Sequence, residues 1–330
     1  FEKVLLYYYT ALNNVSEGRV SDALVEARRA DEFLKKIRVK YDKDKDLSTL
    51  YKQDAFMLWL VGLFYEVEGS YSDAFLAYRR AFKVYRSSYR KLFRTPPPSY
   101  VAADVMRAGR KAGLESDALA FAQRYNLPLD TPQEQQAEVI VIHGGGEAPF
   151  KRQTFFTAPM PDGYILRIAF PQMQLQKGQV FTSFAEIAGQ SVETEMAEPV
   201  SLIALKNFKH QLPGLRARAI VRATAKYVAT QGTKKIVEGG EDASDERKLA
   251  GALLGLFGNI AAAASENADL RAWSFLPSYF RVARIGVPPG RHTLRMSFRS
   301  RTGADVVSPK TYSLNLKAGE RKIIDIRTVR

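Results

Sequence analysis

The sequence predicts an α+β protein of more than one domain, with helices in its N-terminal part and a mixed α+β part after them. Three observations lead to this prediction. Apolar residues recur at spacings of three and four through residues 1–125, which is typical of amphipathic helices. Residues 126–136 are polar, contain two prolines and are predicted to be a linker. Short β-branched runs begin at residues 138–143 and return near the C-terminus.

The composition excludes several classes of protein. The chain has 330 residues, and 49 Lys and Arg against 35 Asp and Glu give a formal net charge of +14. With 46% hydrophobic residues the chain can bury a core, which excludes wholesale disorder. Cysteine is absent and only three histidines are present, so disulfides, thiolate metal sites and a thiol nucleophile are excluded. We expect no cofactor and no metal.

A short motif occurs three times in the helical part. Gly18, Gly69 and Gly113 are each followed, three residues later, by Ser-Asp-Ala at the start of a new amphipathic segment. Glycine adopts the left-handed conformation that ends a helix, and Ser or Asp accepts hydrogen bonds from the first N–H groups of the next one. The middle copy resembles the tetratricopeptide repeat (TPR) at Gly62, Tyr65, Ala74, Tyr78 and Ala81. We predict a TPR-like helical array over residues 1–125.

Arrays of this kind stack their repeats and leave a concave face formed by the first helix of each pair. Placed in register, the residues on this face are Tyr8, Leu12, Trp59, Leu63, Tyr100 and Arg107. Two interpretations remain open. These side chains belong to the core, or they line a groove for a peptide or helix of a partner protein.

The second domain is predicted to span residues 137–330 and to pack an antiparallel sheet against two helices. The expected strands are residues 138–143, 164–170, 279–285, 292–300, 311–316 and 322–328, and the last four are expected to form a meander. The expected helices are residues 201–230, with a break near Pro213, and residues 245–264.

Three glycines follow the first predicted strand. His143, Gly144, Gly145 and Gly146 resemble the loop that forms the oxyanion hole of esterases, but no complete G-x-S-x-G nucleophile motif accompanies them. Backbone N–H groups of such a run, with Lys151 close by in the sequence, also suit an anion. We expect a structural loop, with an anion site and a hydrolase site as alternatives, and we assign no catalytic residue.

Basic residues are concentrated in the second domain. Arg218, Arg222 and Lys226 recur every four residues along one side of a helix, and Arg295 and Arg299 lie on a terminal strand. They form a solvated positive face, or they bind an acidic protein or an anionic lipid or glycan surface. Nucleic acid is not an expected partner, because the chain has no recognised binding motif and few aromatic residues among these charges.

The longest uncharged apolar stretch covers residues 250–264 and is shorter than a membrane-spanning helix requires. Gly251 and Gly255 are four residues apart, which permits close helix packing, and Leu256 and Phe257 follow them. We expect this segment to pack on the sheet. The alternative is contact with a membrane or with another subunit.

Several short motifs are spread along the chain: YYYTAL at 7–12, SDALVEARR at 21–29, HGGG at 143–146 with Pro149 and Lys151, DLRAW at 269–273 before Leu276-Pro277, and PGRH at 289–292. Through these motifs the chain resembles an uncharacterised family of bacterial envelope lipoproteins, in which a TPR-like array precedes a β-rich domain. The resemblance implies export, a lipidated N-terminal cysteine that is not in this chain, and residence at the periplasmic face of the outer membrane. No catalytic residues are established for that family.

We therefore expect a non-enzymatic scaffold or adaptor that binds protein partners of the cell envelope, alone or within a homo- or hetero-oligomer. The first alternative is a membrane-interacting or pore-associated component that acts through residues 250–264. The second is a hydrolase that uses His143 and its glycine loop.

Overall fold

A computed structural model of the chain describes residues 2–40, 53–128, 137–160, 163, 165–237, 268–273 and 275–329. Its N-terminal part is helical and its C-terminal part is rich in antiparallel strands, as the sequence predicts. The helices are α1 (Glu2–Ser16), α2 (Val20–Lys40), α3 (Ala55–Val67), α4 (Tyr71–Val84), a π-helical turn (Tyr85–Tyr89), α5 (Arg90–Phe93), α6 (Ser99–Lys111), α7 (Glu115–Tyr125) and α8 (Val200–Val237). The strands are β1 (Ala137–Gly145), β2 (Phe150–Pro159), β3 (Ile165–Gln174), β4 (Thr182–Ile187), β5 (Gln190–Glu193), β6 (Glu195–Glu198), β7 (Tyr279–Val287), β8 (Gly290–Arg299), β9 (Asp305–Leu316) and β10 (Arg321–Thr328).

The helices pack in consecutive pairs, α1 with α2, α3 with α4 and α6 with α7. Gly18, Gly69 and Gly113 stand between the two helices of a pair, with φ of 78°, 81° and 71°. These positive values suit glycine, because a Cβ is strained in that conformation. The prediction that the three glycines terminate helices is confirmed.

Among the described residues the strands form two four-stranded sheets and one hairpin. Sheet 1 has the order β10-β1-β7-β6, sheet 2 has the order β5-β4-β8-β9, and β2 pairs with β3. The prediction of a C-terminal meander is wrong, because β10 pairs in parallel with β1 while β8 and β9 lie in sheet 2. Both faces of β10 carry apolar side chains that pack in a core. Ile323 packs in the core shared with the helices, and Ile324 and Ile326 pack in the core shared with sheet 2.

Sheet 1 is the middle layer between the helices and sheet 2. In β1, Ile140 and Ile142 belong to the core shared with the helices, whereas Val139 and Val141 belong to the core shared with sheet 2. A strand with apolar residues on both faces is buried on both faces, which explains why its sequence is a continuous apolar run.

The chain divides into two compact units. The first contains Phe1–Ala148, Gln176–Ala204 and Trp273–Arg330, and the second contains Pro149–Leu175 and Leu205–Ala272. This division differs from the predicted domains 1–125 and 137–330, because sheet 1 shares one core with the helices and a second core with sheet 2, so all three fall in the first unit.

Several details of the strand and helix predictions also differ. The strands β2, β4, β5 and β6 were not anticipated, and α8 continues through Pro213 without the predicted break. Most of the predicted linker and the whole of the predicted helix 245–264 lie outside the described residues.

Candidate functional site

Six charged side chains meet where the helices contact sheet 1, and we call them the ion cluster. Its carboxylates are Glu66, Asp104 and Glu138, and its guanidinium groups are those of Arg107, Arg284 and Arg321. Arg284 of β7 lies 3.2 Å from Glu66 of α3 and 3.0 Å from Asp104 of α6. Arg107 Nε donates to Glu66 Oε1 at 2.8 Å. The cluster therefore contains three acidic and three basic side chains, and burial raises the pKa of Asp104 despite the neighbouring guanidinium groups of Arg284 and Arg107.

Removing these charged side chains from water costs free energy, which the ion pairs have to offset. The side chains of Glu66, Asp104 and Arg284 are 0%, 1% and 4% exposed. Burial raises the pKa of Glu66, but the guanidinium groups of Arg284 and Arg107 outweigh it and hold the pKa well below its usual range. Glu66 is therefore charged in the folded protein, and removing it would leave buried cations without their partner.

Two aromatic side chains complete the hydrogen bonding of the cluster. Trp59 Nε1 donates to Asp104 Oδ2 at 2.7 Å, and the Tyr78 hydroxyl donates to Glu66 Oε2 at 2.7 Å. Each buried carboxylate thus accepts from a neutral donor as well as from arginine, which offsets part of the cost of desolvation.

The residues predicted on the concave face lie in the interior of the first compact unit. Tyr8, Leu12, Trp59, Leu63 and Tyr100 are at most 9% exposed, and Arg107 belongs to the ion cluster. The ring of Tyr8 lies 4.6 Å from that of Phe280 in β7, and its hydroxyl donates to Asp325 of β10 at 3.0 Å. Tyr8, Leu12, Trp59 and Leu63 are core and do not form a free groove, because sheet 1 of the same chain covers this face of the helices. Tyr100 and Arg107 also line a cavity.

A cavity of about 710 Å³ lies beside the ion cluster. Its polar wall includes Asp104, Arg107, Glu138, Arg284 and Arg321. Its apolar wall includes Phe82, Pro97, Pro98, Tyr100 and Leu127. Because helices and strands both line it, the cavity is formed by the packing of the two parts. Its size and mixed lining are typical of a binding site.

His143 is fully buried in β1. Its Nδ1 lies 2.9 Å from Ser183 Oγ and its Nε2 lies 2.8 Å from Thr328 Oγ1. Burial, and to a lesser extent Arg281, lowers the pKa of His143 to about 3. Ser183 is within reach of the imidazole, as a hydrolase requires, but it is fully buried as well, and the second ring nitrogen meets a hydroxyl instead of a carboxylate. This geometry supports a structural hydrogen-bond chain.

Gly144 and Gly145 continue β1 instead of forming the expected loop, and Gly146 follows the strand with a φ of 65°. A Cβ on Gly145 would clash with the ring of Tyr279, and one on Gly144 would lie 3.3 Å from the ring of Phe280. The carbonyl of Gly145 accepts from Ser278 N at 2.9 Å. Gly144 and Gly145 therefore leave room for the aromatic rings of β7 to pack over β1. This packing accounts for the two glycines without a bound anion.

The remaining predicted site residues are distributed between the two compact units. Lys151 belongs to the second unit, where its Nζ donates to the carbonyl of Arg271 at 2.9 Å. Arg218 and Lys226 are exposed on α8 of that unit, and Arg222 is half-buried. The other two basic residues lie in the first unit and have acidic neighbours: Arg295 lies 3.2 Å from Glu186, and Arg299 lies 3.6 Å from Asp305. Gly251, Gly255, Leu256 and Phe257 lie outside the described residues.

Two other carboxyl groups lie near the start of α3, the buried one of Glu198 and the half-buried one of Asp54. Asp54 accepts from Met57 N at 2.8 Å and so caps the helix, while the Tyr89 hydroxyl donates to Glu198 Oε2 at 2.8 Å. Burial raises the pKa of Asp54 to about 6. Burial, and then the neighbouring Asp54, raises the pKa of Glu198 well above its usual range. Arginines hold the pKa values of Glu66 and Glu138 below their usual range, whereas Asp54 and Glu198 favour the protonated form.

Sequence reasoning did not identify most of the ion cluster. Glu66 carried a usable signal, because it is the only charged residue in α3 (Ala55–Val67), a helix that is otherwise apolar on nearly every side. A lone charge in such a helix needs a buried partner. Its partner Arg284 is 218 residues away in the sequence, and nothing in the local pattern connects the two.

Comparisons with protein-family models, with curated proteins and with solved structures returned no match. Across the described ranges, no helix is both long and apolar enough to cross a bilayer. In the same part of the chain, no group of three or more His, Asp or Glu side chains is arranged to hold a metal ion.

Proposed function

We propose that this protein is a non-enzymatic scaffold or adaptor of the bacterial cell envelope that binds protein partners. The observation that supports this most is the cavity beside the ion cluster, which helices and sheet line together. The TPR-like character of the helical pairs and the resemblance to envelope lipoproteins, with a periplasmic location, belong to the same proposal. A homo- or hetero-oligomer, and an anionic lipid or glycan surface facing the basic residues of α8, are compatible with it.

The proposal places the partner in the cavity, which Tyr100 and Arg107 line, and not on the part of the predicted concave face that Tyr8 and Trp59 form. That face is covered by sheet 1, so a partner would have to displace the sheet to reach Trp59 or Tyr8. The cavity requires no such rearrangement. The rigid ion cluster along one wall would keep its shape, which lowers the entropic cost of binding.

A hydrolase that uses His143 is the weaker candidate, because the pKa and the burial of this residue do not suit catalysis. A general base has to accept a proton near the working pH, and an imidazole with a pKa of about 3 is a poor base at neutral pH. The buried positions of His143 and Ser183 leave no route for a substrate without local unfolding.

Site-directed photocrosslinking in cells tests the adaptor proposal. We would replace Ala103, which lines the cavity, by a photoreactive phenylalanine analogue, and place the same group at the exposed Leu76 of α4 as a matched control. We expect a discrete protein adduct from position 103 and none from position 76. Equal labelling from both positions, or no adduct at position 103 in a folded protein, would count against the proposal.

Membrane contact is a second candidate, favoured by one observation in the second compact unit. Phe156 and Ile165 of the β2–β3 hairpin are 56% and 66% exposed, and Phe155 is exposed under the guanidinium of Arg167, whose carbon lies 3.6 Å from the ring centroid. Exposed aromatic and aliphatic side chains next to cations suit an anionic lipid surface. Residues 250–264, for which membrane contact was the alternative to packing on the sheet, lie outside the described residues.

Flotation with vesicles of anionic phospholipid tests this second candidate. The double substitution Phe156→Ser and Ile165→Ser should reduce vesicle binding if the hairpin carries it. Leu76→Ser removes an equally exposed apolar side chain from the first unit and should have no effect. Unchanged binding by the hairpin variant would exclude the hairpin as the contact.

A further inference from the structure

We propose that the cavity binds an extended peptide, which adds a strand to an open edge of β7. The inference rests on the adaptor function proposed above and specifies how the partner is recognised. The ligand is an extended segment of a partner protein with apolar side chains. Its main chain forms hydrogen bonds with Arg284 and Gly286.

The hydrogen bonds of β1 show which backbone groups of β7 face away from it. Glu138 N donates to the carbonyl of Glu320 at 2.9 Å, on the β10 side. Glu138 is paired with Gly286, so this is a pair that exchanges no hydrogen bonds, and the backbone groups of Gly286 point away from β1. Strand geometry repeats every two residues, so those of Arg284 point the same way. Consistent with this, the carbonyl of Gly286 accepts from Gln190 Nε2 at 3.0 Å.

The neighbouring strand on that side ends before it reaches these groups. In the described chain, β6 pairs with β7 only from Phe280 to Val282, with Glu195 opposite Val282. The preceding strand β5 turns into sheet 2, where it pairs with β4. Among the described residues, no strand therefore pairs with Arg284 and Gly286 on the outer side of β7, although β5 passes close enough for the Gln190 side chain to reach the Gly286 carbonyl.

The open edge is accessible from the cavity. The side chain of Arg284 is only 4% exposed, yet the residue as a whole is half-buried, so its exposed area belongs mainly to the backbone. Gly286 is also half-buried and offers only backbone. Both residues line the cavity, together with Pro98, Tyr100 and Val192.

An extended peptide is the ligand that this edge suits. One peptide residue would accept from Arg284 N–H and donate to the Arg284 carbonyl, and a residue two positions away would accept from Gly286 N–H. A helix has no free backbone groups along its length to make these bonds. The apolar contacts of Pro98, Tyr100 and Val192 would favour apolar side chains at alternate peptide positions.

Amide hydrogen exchange in the full chain is the first test. In the free protein we expect the amides of Arg284 and Gly286 to exchange much faster than those of Ala283 and Ile285, which face β1 and pair with Val141 and Val139. If the amides of Arg284 and Gly286 in the free protein are as protected as those of their neighbours, the proposal is overturned, because these backbone groups would already be hydrogen-bonded.

The second test uses a synthetic peptide selected from a displayed random library on the full chain. Each peptide amide is methylated in turn, which removes one donor without changing the protein. We expect affinity losses of about tenfold at alternate positions and much smaller losses between them, together with new protection of Arg284 and Gly286. Losses without this alternation, or failure to select any peptide that protects these two amides, would overturn strand addition.

The experiments can contradict strand addition without contradicting the adaptor function. If position 103 yields a partner adduct but Arg284 and Gly286 stay unprotected on binding, the adaptor stands and strand addition is wrong. If neither position 103 nor these amides respond to any partner, the adaptor function itself is contradicted.

Discussion

The guanidinium of Arg284 lies 3.2 Å from the carboxylate of Glu66, although 218 residues separate them in the sequence. The contact joins a central strand of sheet 1 to the most apolar helix of the N-terminal part. It explains why the helices and the sheet form one compact unit. A buried pair of this kind favours one way of packing the two parts, because any other packing would leave charges buried without partners.

Substituting Glu66→Ala should be severely destabilising. It leaves Arg284 and Arg107 in the interior without their shared carboxylate, and we expect a loss of about 3–5 kcal/mol in the free energy of unfolding. Urea denaturation followed by circular dichroism measures the change. The control is Glu17→Ala, since Glu17 pairs with Arg19 on the surface and should contribute less than about 1 kcal/mol. Equal losses in both variants would mean that the ion cluster does not stabilise the interface.

Substituting Gly145→Ala should destabilise the first compact unit by about 1–3 kcal/mol, because the added Cβ would clash with the ring of Tyr279. Gly178→Ala is the control, since its Cβ would lie 3.7 Å from Gly146, at ordinary contact distance. If the clash is the cause, the second substitution Tyr279→Ala should add much less destabilisation in the Gly145→Ala protein than in the wild type. Thermal or urea unfolding of the four proteins tests this, and strict additivity would argue against the contact.

Asp54 should make stability fall as pH rises between about 4 and 6. In the unfolded chain its pKa is about 3.9. In the folded protein its pKa is raised to about 6. The folded state therefore holds the proton longer, so the stabilisation is present below pH 4 and is lost as pH rises through 6.

The variant Asp54→Asn isolates this contribution, because Asn caps a helix as well as Asp does. Relative to it, the wild type should lose about 2 kcal/mol between pH 4 and pH 7. Urea unfolding at several pH values gives the difference. Asp73→Asn makes the same change at an exposed position. A difference between wild type and Asp54→Asn that does not vary with pH would contradict the assignment.

His143 should stay neutral from pH 5 to pH 8, because burial lowers its pKa to about 3. Its imidazole resonances in NMR spectra should be constant over this range, and Ser183 should not react with a fluorophosphonate probe. His143→Gln, which removes the imidazole, identifies the resonances. A titration near pH 6.5, or covalent labelling of Ser183 in the folded protein, would revive the hydrolase hypothesis.

Local patterns predicted the local structure well. The glycines at 18, 69 and 113 and the β-branched run at 138–143 lie where expected, because helix termination and strand preference depend on residues a few positions apart. The strands β4, β5 and β6 were missed because they are short and polar on one face, so their pattern resembles a loop.

The sequence by itself determined that this chain has helices first and strands afterwards. It also determined where the turns between paired helices lie. Only the tertiary structure decided that sheet 1 covers Tyr8 and Trp59, that Glu66 meets Arg284, and that β6 ends short of Arg284 and leaves an edge open. The physical reason is the sequence separation over which each interaction acts. Capping, turns and periodicity act over a few residues, whereas burial and charge pairing depend on which distant segments share a core, and no local pattern encodes that choice.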